Sequence, residues 1–194
     1  MNQDHHFTLA NMSPMTFVPA MIPTQVPKKK MNGKFHARTE IPKLRDKLDS
    51  NSEATRKQAA TRVCAIMRQG ENVLPLFSSM LRCVKTNDIQ LKKLAYLYLT
   101  KYSAQEPEQA IMAVNTFIQD SQDANPIIRA LAVRTMSRIR IQSVAENMII
   151  PLKKSLNDES PYVRKTAAFG VAKLYDTLPE AVENAGLFDQ LLDL

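Results

Sequence analysis

The side chains that most often carry chemistry are few in this chain and poorly placed for it. The three histidines are His5, His6 and His36, all within the first 36 of 194 residues, which leaves the remainder without imidazole for acid–base work. The two cysteines, Cys64 and Cys83, fall in apolar patterns at helical spacing and form no CxxC. Two isolated thiols fit a reducing compartment and argue against a zinc site. No HExxH, no GxSxG and no glycine-rich phosphate loop occurs, so a nucleophile, base or metal has no recognisable frame. What does recur at regular spacing is a cation. "DANPIIRALAVRTM" (123–136) and "DESPYVRKTAAFGV" (158–171) share an acid, a Pro, a β-branched residue, an Arg and then small and apolar residues, 35 positions apart. A guanidinium carries five donors in a fixed fork and recognises carboxylates and carbonyl oxygens. Arg129 and Arg164 are therefore expected to form a ladder, each reaching an acid or carbonyl in a neighbouring turn; the alternative is a partner contact.

The elements that position these cations repeat as well. "NPIIRALAVRTMSRI" (125–139) aligns with "SPYVRKTAAFGVAKL" (160–174) without a gap; "DIQLKKLAYLYL" (88–99) precedes the first by 37 residues and "SEATRKQAATRV" (52–63) precedes that by 36. All four open on a polar or acidic residue, carry a cation at the fifth position, and continue with small residues. Between them lie partner helices predicted near 73–86, 106–120 and 144–156. Pro107 falls where a first-turn proline is harmless, whereas Pro151 is expected to kink or divide its helix. A helix over 126–139 places Ile128, Leu131, Ala132, Thr135 and Ile139 on one face. One hairpin cannot cover that face, so the pattern is restated once per layer. The spacing lies slightly below the usual HEAT or armadillo period. The predicted fold is an all-α helical-repeat solenoid of four to five hairpins over 37–194, after a disordered Met- and Pro-rich tail over 1–36.

Charge bounds the partners. The formal charge is +7 and the pI near 9.5, which favours acidic partners or anionic lipid. Lys28, Lys29 and Lys30 end the tail in "PKKKMNGK" (27–34); they are a candidate anionic-lipid contact, a solvated charge run, or a weak nuclear-localisation look-alike. The body shows no contiguous basic stripe, which weakens a nucleic-acid reading. A helical-repeat DNA glycosylase would need aromatic stacking on a base, yet Trp is absent and aromatics make up 6%. No apolar run is long enough for a membrane span, and Asp4, Pro14, Pro19 and Pro23 rule out a signal-peptide pattern. A cytoplasmic, non-enzymatic chain without cofactor is the expectation. "GLFDQLLDL" (186–194) opens another apolar helix and ends on Leu191, Leu192 and Leu194, so the stretch is expected to be the first portion of a longer trunk or a shortened relative of one.

Taken together, "LKKLAYLYLTKYS" (91–103), "AIMAVNTFIQD" (110–120), "NPIIRALAVRTM" (125–136) and "PYVRKTAAFGVAKLYD" (161–176) resemble the amino-terminal trunk of β-adaptins, the large chains of heterotetrameric clathrin adaptors of the trans-Golgi and plasma-membrane type. "RTEIPKLRDKL" (38–48) stands where that family has its first helix. The resemblance implies a rigid trunk, peripheral on membrane coats, that joins a medium chain, a small chain and a second large chain in vesicle-mediated transport. Clathrin would be bound only through a hinge beyond this stretch. It further implies an Arf-type GTPase contact at Ile111 and Val114; "AIMAV" is apolar at five successive positions, more than one buried stripe needs, though an inner helix can be apolar all round. A family Lys pair for phosphoinositide falls here on Ser52 and Glu53, and Arg56 and Lys57, one turn on, are the candidate substitutes. A general scaffold of coatomer or nuclear-transport type is the rival reading.

Overall fold

In the computed structural model the described residues are 37–193, with side chains from Glu40 onward. The predicted tail, including His5, His6, His36 and the Lys28–Lys30 run, lies outside them, as does Leu194. Twelve α-helices follow in order among the described residues: α1 Ala37–Leu48, α2 Glu53–Arg68, α3 Phe77–Arg82 after a 3-10 turn at Leu74–Leu76, α4 Ile89–Tyr102, α5 Pro107–Ile111, α6 Val114–Asp120, α7 Pro126–Met136, α8 Gln142–Glu146, α9 Ile149–Leu156, α10 Pro161–Tyr175, α11 Pro179–Asn184 and α12 Leu187–Leu192. None of these residues forms a strand.

The four repeated segments become the four long helices α2, α4, α7 and α10, and each packs on the next in chain order. Their openings are built alike. Ser52, Asp88, Asn125 and Ser160 all hold extended backbone, with φ between −85° and −73° and ψ between 112° and 119°. Three of the four also cap by side chain: Ser52 accepts from the Thr55 amide, Asp88 from Leu91 and Asn125 from Ile127. Such caps satisfy amides that the first helical turn leaves unpaired. Pro126 and Pro161 fill the first helical position, where no N–H is needed.

The covering helices are shorter than the predicted partner helices and are divided. α5 gives way to α6 at Met112–Ala113, α8 to α9 at Asn147–Met148, and α11 to α12 at Ala185–Gly186. At each junction the amide reaches back only three residues: Ala113 to Ala110, Met148 to Ala145, Gly186 to Glu183. Pro151 sits in the first turn of α9, downstream of its break, where a missing N–H costs nothing. Gly186 takes φ +64° at the third junction, a conformation that favours glycine. The first junction holds neither Pro nor Gly, so the division belongs to the repeat and not to one residue.

Burial follows the sandwich. The largest fully buried side chains include Tyr96, Tyr98, Phe77 and Phe117, and Tyr96 meets Phe117 edge-on at 4.9 Å between ring centroids. Each such side chain contributes roughly 1.5–3 kcal/mol by burial. The Tyr98 hydroxyl keeps its partner by donating to Val73 O at 2.7 Å. On α7 the buried set is broader than one stripe: Ile128, Ala130, Ala132, Val133, Thr135 and Met136 are all covered, because α4, α6, α9 and α10 surround it. Leu131 is only half-buried; the face assigned from spacing is corrected there, Val133 and Met136 being the larger residues inside.

Gly170 lies at a close approach of α10 to α9 and α7. A Cβ added there would lie 2.7 Å from Leu152 Cδ2 and 3.6 Å from Val133 Cγ1. Leu152 is itself fully buried, so it has little room to withdraw. Gly170→Val is expected to cost about 2–3 kcal/mol by overpacking, read as a lower midpoint in thermal or urea unfolding followed by circular dichroism; an unchanged midpoint would refute this packing.

Candidate partner-binding site

The fifth-position cations are the natural starting point. Arg56 Nη1 donates to Ser50 O at 2.9 Å and Asn51 O at 3.1 Å. Arg129 Nη1 donates to Asp123 O at 2.8 Å and Ala124 O at 3.0 Å. Arg164 Nη1 donates to Asp158 O at 2.9 Å and Glu159 O at 3.1 Å. In three layers the guanidinium thus folds back over the loop that enters its helix and holds the carbonyls six and five residues earlier. Arg129 then reaches across to the next layer, Nε to Asp158 Oδ2 and Nη2 to Asp158 Oδ1, both at 2.8 Å. Asp158 in turn accepts from the Ser160 amide at the head of α10. The Arg129–Asp158 pair is about nine-tenths buried on both sides.

The second layer uses a different solution. Lys92 stands in the same position, and its Nζ donates to both Asp120 oxygens at 2.7 and 2.6 Å. The Tyr96 hydroxyl donates to the same carboxylate. Burial, and then that bond to Asp120, raises the Tyr96 hydroxyl pKa far above its ordinary range. Spacing alone signalled a cation at 92 but not the acid it would meet, because Asp120 comes from the covering helix.

The lipid candidates are already engaged. Besides its two carbonyls, Arg56 lies 3.9 Å from Glu53. Lys57 Nζ contacts Asp88 Oδ2 at 2.7 Å, the hydrogen bond that chiefly holds the Asp88 carboxyl below its usual pKa. Glu53 accepts from Thr86 and Ser52 caps α2. The two candidate substitutes, Arg56 and Lys57, therefore each hold a bond to a neighbouring loop in this structure.

The small-GTPase candidates separate. Ile111 ends α5 and is 43% exposed; Val114 opens α6 and is 6% exposed. Contact through Val114 is corrected, since the break at Met112–Ala113 turns it into the core. Met112, at 71% exposure, joins Ile111 as the apolar pair on this surface. It was present in "AIMAV" but indistinguishable from its neighbours without the break. The thiols are inert by placement: burial pushes Cys64 and Cys83 up to about 11. Among the described residues, no group of three His, Cys, Asp or Glu is placed to hold a metal, and no helix is long and apolar enough to cross a membrane.

A layered helical stack with engaged loop cations is a scaffold geometry, and its pedigree can be read by comparison. The model of the adaptin N-terminal region matches residues 36–194. The chain belongs to that adaptin family. Over 155 residues it is 50% identical to the AP-1 complex subunit beta of Dictyostelium discoideum and 49% identical to the AP-1 complex subunit beta-1 of Homo sapiens. Each match covers 80% of this chain and 16% of the relative, so this adaptin spans a small part of those subunits' length. Among solved structures, the homology model of the full-length AP-3 complex in an intermediate open conformation matches with TM-score 0.57 and 26% identity, over 70% of this chain and 22% of that one.

Arg129→Met leaves the Asp158 carboxylate buried without its cation, a change expected to cost about 3–5 kcal/mol; adding Asp158→Leu should recover part of it. The pH dependence has a definite sign. The hydrogen bond from Arg129 holds Asp158 below the ordinary 3.8, so its contribution is complete above that value and is lost as pH falls through the lowered folded pKa. Thermal melts from about pH 5 to about pH 3 should therefore fall less steeply in Arg129→Met than in the unmodified chain; parallel slopes would count against this pair.

Proposed function

We propose that this chain is the amino-terminal trunk portion of a β-type large chain of a clathrin-associated adaptor complex and serves as a structural subunit in vesicle-mediated transport. The observation that carries this reading is the adaptin match over 36–194 together with about 50% identity to AP-1 β subunits. The role needs no catalytic step. Its partners would be the medium chain, the small chain and the other large chain of such a complex. Its place would be cytoplasmic, peripheral on coats at the trans-Golgi, endosome or plasma membrane. Residues 37–194 form the trunk in this reading and 1–36 a tail.

Two finer contacts belong to the same proposal. The Ile111–Met112 turn supplies an exposed apolar patch for an Arf-type GTPase. Lys28, Lys29 and Lys30 supply an anionic-lipid contact, each cation worth about 1 kcal/mol near a charged membrane surface. Clathrin enters only through a hinge outside this stretch.

Affinity purification of the tagged chain should return adaptor medium and large chains; recovery of coatomer subunits or karyopherin cargo instead would replace the assignment. Ile111→Asp is expected to abolish GTP-dependent capture of Arf while leaving the circular dichroism melt unchanged; loss of fold would reassign Ile111 to the core. In liposome flotation, phosphoinositide vesicles should retain the chain and neutral vesicles should not, and replacing Lys28–Lys30 with Gln should erase the difference.

A further inference from the structure

The long helices differ from the rest of the chain in charge. α4, α7 and α10 contain no Asp or Glu at all. Three of their cations are engaged in the fold: Lys92 with Asp120 of the covering helix, Arg129 with Asp158 of the next layer, and Arg164 with the carbonyls of its own entering loop. Of the remaining cations, Lys101 on α4, Arg134 on α7 and Lys173 on α10, together with Arg138 in the turn that follows α7, are exposed at repeated positions. Nine residues after the caps Asp88, Asn125 and Ser160 stand Leu97, Arg134 and Phe169; thirteen residues after them stand Lys101, Arg138 and Lys173. All six are exposed, Leu97 at 43% and Phe169 at 66%. Among the described residues none of the four cations makes a side-chain hydrogen bond or ion pair. Asp176, three residues beyond Lys173, is not paired with it. Arg134, Arg138, Phe169 and Lys173 line one cleft of about 320 Å³ between α7 and α10, with Ser137 and Thr166 at its floor.

We propose that this flank is a docking surface for an extended acidic peptide segment of a partner protein, in which carboxylates recur at every third residue with an apolar side chain between them. The spacing carries the argument. Packed helices lie about 8–10 Å apart, so Lys101, Arg138 and Lys173 form a row with that step. A polyproline-II segment has three residues per turn and rises about 3.1 Å per residue, so every third side chain returns to the same face after about 9 Å. A segment crossing the helices along this row therefore sets one carboxylate against each cation. Its apolar side chains meet Leu97 and Phe169, one helical turn away, and the cleft walled by Phe169 has room for such a side chain. Charge complementarity selects the sign of the occupant, since no acid on these three helices offsets the row. A lipid surface is less well matched: membrane recruitment by charge uses clusters of adjacent cations within one short segment, and here four cations are spread over three helices with Leu97 and Phe169 among them. The proposal stands on this surface and is independent of the coat assignment.

The test uses the 194-residue chain and a fluorescein-labelled peptide of four Asp-Leu-Ser triplets in fluorescence anisotropy. Controls are the same peptide with Asn for Asp and with Ser for Leu, and phosphatidylserine vesicles without peptide. Binding of the Asp-Leu-Ser peptide is expected, with little binding of either control peptide. Arg138→Glu should weaken it about tenfold and Phe169→Ser severalfold, with weaker binding at higher salt. Lys43→Glu with Lys47→Glu, on the exposed side of α1, should leave it unchanged. Should Arg138→Glu lower the melting point, Lys101→Gln with Lys173→Gln makes the same test without charge reversal. The proposal is overturned by equal binding of the Asn peptide, by equal loss in the α1 variant, by indifference to Phe169→Ser, or by capture on vesicles alone.

Discussion

The stack depends on how each layer fastens its incoming loop. A helix that opens a layer has orphan amides at its head, and the loop before it has orphan carbonyls. The cap residue takes the first set and the fifth-position guanidinium takes the second. In the Arg129 layer the same side chain also meets the carboxylate of the following loop, so one residue closes its own layer and aligns the next. Asp158 does the same in reverse: its side chain holds Arg129 and the Ser160 amide, while its carbonyl accepts from Arg164. Loops and layers are thereby bonded in series.

The cations that fasten loops and layers are engaged within the fold. A guanidinium with its donors aimed at carbonyls and a buried carboxylate would have to break those bonds to reach a headgroup. Lys57 is only partly covered, yet its ammonium already sits against Asp88. The charges left for partners are those that the repeat does not use, and these lie further along the long helices.

The repeat, the long-helix starts and the fold class were legible because they are written in local chemistry: a cap residue, a proline at the first helical position, and a cation one turn on. The divisions of the covering helices were not. Pro151 pointed to one of them, but the break at Met112–Ala113 has no glycine or proline to announce it, and tertiary packing decides it. That hidden break also misplaced Val114, since a continuous helix gives no reason to set it apart from Ile111. Leu131 misled for a related cause: a helix enclosed on several sides has no single buried stripe to count. Lys92 was readable as a cation and unreadable as half of a buried pair, because its acid is 28 residues away on another helix.

The divided covering helices give the two columns of the stack unequal stiffness. The long-helix column consists of uninterrupted rods of 11 to 16 residues, whereas the covering column from α5 onward consists of five- to eight-residue pieces joined by tightened turns. Short pieces slide and tilt past one another at lower cost than unbroken rods bend. A bend of the stack would therefore cost less in the fragmented column than along the rods, whose side-chain register is fixed by unbroken helices.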